Sequence, residues 1–274
     1  MKCKLEKIEV FYEIYGEGYP ILMLHGFEVD HRVLKGCMEP IFDNRPEYKR
    51  IYFDLPGMGK TAGESWIKNS DQMLDIIIEF MDKIIPNQRF IIASESYGCY
   101  LARGVIFRKF ESVEGVLFIC PVIFAKPDIR VLPKHVILLK DPELLSNLTK
   151  FEAGDFENIA VAQSQRIWER YRNEFFSGVE AADKNFLEQI WETGYPFSFD
   201  LDQKIGKFDK PTLFLMGRQD SIVGYRDTWK IIEKYPRASF CILDQAGHLL
   251  QIEQEKIFNS LVNEWLNRVE QIIS

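Results

Sequence analysis

Several short apolar runs recur along the chain, and each ends in glycine, proline or a polar turn. They cover residues 21–24, 50–53, 90–93, 116–120, 212–216 and 239–243. Runs this short and this apolar indicate buried strands. Stretches with helical spacing lie between them, and this alternation predicts an α/β fold with a mostly parallel twisted sheet flanked by helices.

Helical spacing is clearest in one stretch in the first third of the chain and in another near its end. The apolar positions that carry it are Met73, Ile76, Ile77, Phe80 and Ile84, and then Ile257, Leu261, Trp265 and Val269. Such a stripe predicts a helix with one face on the core. Residues 4–10 and 11–15 alternate instead, and predict antiparallel strands at the edge of the sheet.

The strand pattern stops between residues 124 and 208. Helix formers and aromatic residues dominate this stretch, among them Trp168, Tyr171, Phe175, Phe176, Phe186 and Trp191. The pattern resumes at Pro211. We therefore expect one core domain, residues 1–123 and 209–274, interrupted by a helical cap or lid at residues 124–208.

Composition limits the partners of the protein. The 34 Lys and Arg residues and 41 Asp and Glu residues give a net charge of −7, which repels a nucleic-acid backbone. The first residues lack the apolar core of a secretory signal, and no apolar run is long enough to cross a bilayer. We expect a cytoplasmic protein with a small-molecule substrate and neither a nucleic-acid nor a membrane partner.

The five cysteines lie far apart and include no Cys-x-x-Cys pair. Their spacing indicates neither a disulfide framework nor a zinc site, and buried free thiols are the expected outcome. We expect the protein to use no metal and no cofactor.

The strongest chemical signal is a small-x-Ser-x-Gly turn between a predicted strand and a predicted helix. Ser94 and Gly98 flank Ser96, at positions where a larger side chain would collide with the crossing strand and helix. Such a turn raises the Ser96 hydroxyl to the top of the sheet. Choosing Ser94 as the nucleophile would put Ile92 at a position that tolerates little bulk, so Ser96 is preferred.

A serine needs a base, and the base needs an acid that orients it. His248 follows the last apolar run, and Asp220 follows the run before it. Both fall on loops at the carboxyl edge of the predicted sheet, where Ser96 also lies. Asp244 is too near His248 in sequence to orient it and is expected to serve the turn. The sequence therefore predicts Ser96, His248 and Asp220 as nucleophile, base and acid.

With these motifs the chain resembles the α/β-hydrolase fold superfamily, in its cap-bearing serine hydrolase branch. Residues 24–27, Leu-His-Gly-Phe, and residues 54–59, Asp-Leu-Pro-Gly-Met-Gly, match that branch, as does the order Ser, Asp, His. The resemblance implies an oxyanion hole formed by the backbone N–H groups of Phe27 and Tyr97.

Other residues of these motifs are expected to support the site rather than react. They are His25, Gly26, Ser94 and Gly98. His25 is expected to shape the oxyanion loop, because His248 already fills the role of base. His31 and His135 are expected to be ordinary loop or surface residues.

The segment from Gly57 to Thr61 is similar to the end of a phosphate-binding loop. The full pattern needs a glycine where this chain has Asp54, and Pro56 removes another amide donor. The acidic residue would repel phosphates, so ATP binding is not expected.

The function predicted from these residues is hydrolysis of a small carboxylic ester through an acyl-enzyme. Serine at position 96 excludes the epoxide hydrolase and dehalogenase chemistry that needs an aspartate nucleophile. Three alternatives stay open: a carbon–carbon bond hydrolase or lyase, a ligand-trapping protein with low turnover, and a proline-type aminopeptidase. The last usually has a glycine-rich stretch where this chain has Phe27-Glu28-Val29. The sequence assigns neither the substrate nor the oligomeric state.

Overall fold

The computed structural model describes residues 1–273, and within them eight strands form one sheet. The strands are β1 (Lys2–Lys4), β2 (Glu9–Tyr15), β3 (Tyr19–Leu24), β4 (Tyr48–Phe53), β5 (Phe90–Glu95), β6 (Val113–Ile119), β7 (Thr212–Gly217) and β8 (Ala238–Leu243). Their order across the sheet is β1-β2-β4-β3-β5-β6-β7-β8. β1 and β2 run antiparallel to their neighbours, and the other strands pair in parallel. The predicted fold class is confirmed.

Helices outside the region between β6 and β7 cover the sheet. These helices are α1 (Arg32–Phe42), α2 (Ser70–Ile84), α3 (Tyr97–Arg108), α10 (Leu250–Glu253) and α11 (Glu255–Ile273). All residues of β5, β6 and β7 are buried, as expected for parallel strands covered on both faces. The carboxyl ends of β5, β7 and β8 reach the same edge of the sheet.

A helical region lies between β6 and β7. It contains α4 (Pro142–Ser146), α5 (Lys150–Ile159), α6 (Gln165–Tyr171), α7 (Ser177–Ala181), α8 (Lys184–Gln189) and α9 (Leu201–Lys204), with π-helical turns at Arg172–Phe176 and Ile190–Gly194. Polar side chains begin several of these helices by accepting bonds from first-turn N–H groups. They are Asp141, Thr149, Ser164, Asp183 and Asp200.

Two sequence predictions of local structure need correction. The edge strands are β1 and β2, with a turn between them closed by the bond from Leu5 N–H to the Ile8 carbonyl, rather than strands at 4–10 and 11–15. In α11 the buried face carries Phe258, Val262, Trp265, Leu266 and Val269. Ile257, predicted to face the core, is 47% exposed.

No helix within residues 1–273 is both long and apolar enough to cross a bilayer.

Candidate active site

Ser96 lies on the turn between β5 and α3, at the carboxyl edge of the sheet. Its backbone has φ 51° and ψ −116°. A left-handed conformation of this kind costs a non-glycine residue about 1–3 kcal/mol and persists only where the surroundings impose it. A Cβ atom at Gly98 would lie 2.1 Å from the carbonyl oxygen of Leu24 on β3, so the start of α3 can approach β3 only with glycine there.

Ser94 has a different set of contacts. Its side chain is buried within β5, and its hydroxyl donates to the Leu117 carbonyl on β6 at 3.0 Å. A serine therefore fits at the first small position of the turn because the neighbouring strand accepts its hydrogen bond. Its hydroxyl is used inside the sheet, whereas the Ser96 hydroxyl faces the loops above it.

The structure brings Ser96, His248 and Asp220 together in one chain of hydrogen bonds. The Ser96 hydroxyl donates to His248 Nε2 at 3.1 Å, and His248 Nδ1 donates to Asp220 Oδ2 at 2.9 Å. All three side chains are buried. A carboxylate can only accept, so the proton of neutral His248 lies on Nδ1 and Nε2 is free to take another.

Backbone groups hold the Asp220 carboxylate. Its Oδ1 accepts hydrogen bonds from the N–H groups of Ile222 and Val223 at 2.9 and 3.0 Å. Burial alone raises the pKa of Asp220, but His248 and these two donors outweigh it and hold the pKa below its usual value. Asp244, by contrast, is exposed and bonds to Gln219 at 2.7 Å.

Glu95 is a component of the site that the sequence reasoning missed. Its Oε1 lies 3.3 Å from His248 Nε2, and Oε2 lies against the backbone of Gly26. Within residues 1–273 neither oxygen has a hydrogen-bond partner of good geometry, and the residue is only 1% exposed. Burial raises the pKa of Glu95 to about 7, although the nearby His248 opposes the rise. The available signal was a charged residue at the last position of a buried strand.

His248 is held between two carboxyl groups. Burial lowers the pKa of its imidazole, but Asp220 and then Glu95 act in the opposite direction and raise it to about 9. The imidazolium that forms when His248 takes a proton is thus well stabilised.

The loop after β3 is shaped by His25. Its Nδ1 donates to the Gly26 carbonyl at 2.8 Å, and its Nε2 accepts from Leu55 N–H at 3.0 Å. Burial lowers the pKa of His25, in keeping with a neutral ring that makes both bonds. A Cβ at Gly26 would meet Glu95 Oε2 at 2.4 Å and Ser96 Cβ at 3.1 Å, so glycine lets this loop pass close to Ser96.

Phe27 and Tyr97 lie on the two elements that flank Ser96. Phe27 follows Gly26 and lines the same cavity as Ser96 and His248. Tyr97 is the first residue of α3, so its backbone N–H is one of the first-turn donors that have no acceptor within the helix. The two rings pack edge to face with centroids 5.3 Å apart, and the Tyr97 hydroxyl bonds to Ser70 at 2.6 Å.

The expectation for His31 was wrong. His31 is buried, and its ring Nδ1 donates to Asp54 at 2.8 Å. Asp54 also accepts from the N–H groups of His31 and Lys60, so this aspartate anchors the loop after β4. His135 is half-buried, with its ring bonded to the Glu157 carbonyl at 2.7 Å, which fits a loop residue.

Glu253 joins the His248 loop to the helical region. Its carboxylate accepts from Gly247 N–H at 2.6 Å and from the N–H groups of Val161 and Ala162 at 2.7 and 3.1 Å. Gly247 directly precedes His248, so one buried side chain fixes the histidine loop against the region between β6 and β7.

Two clusters contain residue types that bind metals. They are Cys120 with Asp220 and His248, and Asp30 with His31 and Asp54. Protein groups already bond to these side chains: Asp30 pairs with Arg32, Cys120 donates to the Gly247 carbonyl at 3.5 Å, and the others bond as described above. Both clusters are therefore accounted for as internal hydrogen-bond networks.

A cavity of about 530 Å³ lies against Ser96 and His248. Most of its wall is apolar and includes Phe27, Val29, Val122, Ile159, Phe175, Val179, Trp191 and Val223. Its charged residues are Glu28, Glu95, Arg130, Lys184 and Glu188. This volume and lining suit a small organic ligand with a few polar groups.

The fold and the site together define an α/β-hydrolase, a hydrolytic enzyme. The family model described as "Hydrolase_4: Serine aminopeptidase, S33" matches residues 20–255, and the chain belongs to this family. The predicted superfamily and enzyme class are confirmed.

Known proteins resemble the chain over nearly its whole length. An alpha/beta superfamily hydrolase from Oenococcus oeni PSU-1 superimposes with a TM-score of 0.89 at 30% identity, over 98% of this chain and 99% of that one. A thermophilic esterase from Thermogutta terrifontis has a TM-score of 0.70 at 20% identity, over 98% of each chain, and shows the fold. The pimeloyl-[acyl-carrier protein] methyl ester esterase of Legionella pneumophila strain Corby is 22% identical over 92% of this chain and 97% of its own length.

Proposed function

We propose that the protein is a serine esterase that cleaves a small carboxylic ester through an acyl-enzyme. The observation that carries this proposal is the chain of hydrogen bonds from Ser96 through His248 to Asp220, placed at the wall of a cavity. In this reading the three residues form a catalytic triad.

Acylation begins when the Ser96 oxygen attacks the ester carbonyl and its proton moves to His248 Nε2. Asp220 keeps the imidazole oriented and stabilises the imidazolium. The backbone N–H groups of Phe27 and Tyr97 bind the oxyanion of the tetrahedral intermediate. When the intermediate collapses, the bond to the alcohol breaks, and the alcohol takes the proton from Nε2.

Deacylation repeats these steps with water. Water gives a proton to His248 Nε2 and attacks the acyl carbon. The second intermediate then expels the Ser96 oxygen, which recovers the proton, and the carboxylic acid leaves. The apolar wall of the cavity limits access of bulk water and strengthens the hydrogen bonds to the oxyanion.

Known relatives support ester hydrolysis as the reaction. Esterases occur among both the sequence relatives and the structural neighbours, and the Legionella pneumophila protein is a methyl ester esterase by name. A putative carbamate hydrolase from Agrobacterium fabrum, 27% identical over 82% of this chain, also acts by name on an acyl compound.

The proposal includes the predicted domains, location and partner. We infer that residues 124–208 form a cap over the site and that the protein works in the cytoplasm on a small molecule, without a cofactor. Contacts of Phe175, Val179 and Trp191 with the cavity support the role of the cap. Cell fractionation tests the location.

The test compares two serines two residues apart. Ser96→Ala removes the nucleophile and should lower kcat for p-nitrophenyl acetate and butyrate by at least about 10⁴-fold. Ser94→Ala is the matched control, because the Ser94 hydroxyl donates to a carbonyl inside the sheet, and it should keep most of the activity. A fluorophosphonate probe should label Ser96 in the wild-type protein.

Other results would favour other functions. Unchanged turnover in Ser96→Ala would contradict the assignment of the nucleophile. Labelling of Ser96 without turnover of any ester would favour a ligand-trapping protein. Preferential cleavage of an aminoacyl p-nitroanilide would favour an aminopeptidase, and consumption of a diketone with poor ester turnover would favour carbon–carbon bond cleavage.

A further inference from the structure

Arg130 stands at the cavity wall on the loop that follows β6, and backbone carbonyls hold its guanidinium. Nε donates to Phe124 at 2.9 Å, Nη2 to Ala125 at 3.0 Å and Nη1 to Ile222 at 3.3 Å. These three acceptors come from two loops, the one after β6 and the one that carries Asp220. The guanidinium is thus fixed in place by neutral groups.

Its charge has no carboxylate partner within residues 1–273, although the side chain is half-buried. Other half-buried arginines form ion pairs: Arg50 with Glu39 at 2.8 Å and Arg170 with Glu174 at 2.7 Å. A partly desolvated cation that the protein leaves without a counter-ion is suited to bind an anion from outside.

The guanidinium also has donors to spare. It carries five N–H groups, one on Nε and two on each terminal nitrogen. The three carbonyls use one on each nitrogen, which leaves one further donor on Nη1 and one on Nη2, and the neutral hydroxyl of Tyr195 lies within reach of the guanidinium. A planar cation with two such donors binds carboxylates in a bidentate manner.

Arg130 is close enough to the reacting groups to select a substrate. Arg130 donates to the carbonyl of Ile222, and the N–H of the same residue donates to Asp220. Arg130 also lines the same cavity as Ser96. Burial raises the pKa of Tyr195, and the charge of Arg130 and a hydrogen bond from it oppose that rise. The same charge opposes the rise in the pKa of His248 that Asp220 and Glu95 cause.

We propose that Arg130 is an anion-binding subsite and that the preferred substrate is an ester that bears a carboxylate. The proposal rests on the esterase function above. Glu28 and Glu188, which also line the cavity, are exposed, so water and salt screen them, and Lys184 beside them has the opposite charge. Glu95, the buried carboxyl group of the cavity, lies 3.3 Å from His248 Nε2, so its charge is directed at the imidazole. The half-buried Arg130 is therefore the cation left to bind an anion in the cavity.

The test uses two esters of equal acyl length, mono-p-nitrophenyl glutarate and p-nitrophenyl pentanoate. The wild-type protein should have the higher kcat/KM on the glutarate ester. Arg130→Gln should lower kcat/KM for this ester by about 10- to 100-fold, with a change of less than about threefold on the neutral one. Arg130→Lys keeps the charge without the planar pair of donors and should fall between them.

A matched control is Arg226→Gln, which removes an exposed arginine from the loop that follows β7 without touching the cavity. It should leave the ratio between the two esters unchanged. An equal loss of kcat/KM on both esters in Arg130→Gln would overturn the proposal. It would show that Arg130 only holds the two loops together.

A binding measurement separates this proposal from the esterase function. Glutarate titrated by calorimetry into the Ser96→Ala protein should bind at least about tenfold more tightly than into the Ser96→Ala, Arg130→Gln double variant. If the wild-type protein cleaves neither ester but this difference is found, the esterase proposal fails and the subsite stands. Equal or absent glutarate binding in both proteins overturns the subsite.

Discussion

Glu95 puts a buried carboxyl group beside His248 Nε2, the nitrogen that takes the Ser96 proton in the proposed mechanism. When it is ionised it stabilises imidazolium at His248, which helps the transition state but also keeps the resting base protonated. Which effect is larger depends on pH, because the pKa of Glu95 is raised to about 7 and that of His248 to about 9. In the proposed mechanism Glu95 therefore adds to the larger effect of Asp220 and raises the pH at which His248 works as a base.

The pH dependence of kcat/KM tests this role. His248 must be neutral to accept a proton, so activity should rise with pH on a limb centred near 9. Glu95→Gln removes a negative neighbour, lowers the pKa of His248 and should move the limb to lower pH by about 1 unit. Glu28→Gln, at an exposed residue of the same cavity, is the control and should not move it. An unmoved limb in Glu95→Gln would assign Glu95 a structural role only.

The residues that could be placed best from the sequence are those on loops directly after strands. Ser96, Asp220 and His248 each follow a strand, and parallel strands end at one edge, so their proximity was predictable. Their catalytic roles stay a prediction until variants are assayed. Glu95 was not found because the motif leaves that position open, and His31 was misjudged because its burial depends on Asp54, distant in sequence.

The contact between α3 and β3 depends on Gly98. Gly98→Ala would force Cβ to within 2.1 Å of the Leu24 carbonyl oxygen unless the helix moves. We expect a loss of about 1–3 kcal/mol in the free energy of unfolding, and a lower kcat because Ser96 moves with the helix. Urea unfolding and ester kinetics measure both.

Gly154 in α5 provides the matched substitution. A Cβ there would meet nothing within 4 Å, so Gly154→Ala should stabilise the protein by about 0.5–1 kcal/mol through helix propensity. Equal effects of the two substitutions would mean that the close approach of α3 to β3 is not needed.

Element boundaries were harder to predict than element types. The predicted core strands all overlap observed strands, and α2 buries Met73, Ile76, Ile77 and Phe80 as expected. The stripe predicted for α11 steps by four residues, and each such step rotates about 40° beyond a full turn. Over the helix this drift separates Ile257 from Val269, so the face observed begins with Phe258 instead.

Residues 1–273 form two hydrophobic cores, and we expect the two cores to differ in their local free energy of unfolding. The larger follows the sheet and includes Phe214, and the smaller joins the helical region to α1 and α10 through Val33 and Ile252. Phe156→Ala, in the smaller core, should cost about 3–5 kcal/mol locally. Amide exchange should accelerate in α5 and α6 far more than in β5 to β7.

Phe214→Ala is the comparison, since it removes a fully buried ring of the same size from the larger core. It should lower protection throughout the sheet. If Phe156→Ala loosens the sheet just as much, the two cores unfold as one unit.

The overall architecture was readable because alternating strands and helices allow few packings. The arrangement of the helical region was not, because it depends on which of its aromatic residues meet Val29, Val33, Leu249 and Ile252 on the core. For the same reason the residues that line the cavity could not be named from sequence.

β6 and β7 are neighbours in the sheet, with Val116 paired to Thr212 and Ile119 to Leu215. The chain thus leaves the sheet and returns beside the strand it left, and every residue of the helical region is inserted between those two points. During evolution such a segment can be lengthened, shortened or replaced as a whole. The register of the strands that precede Ser96, Asp220 and His248 then stays the same. Divergence in what the enzyme accepts can therefore proceed while the reaction it performs is inherited unchanged.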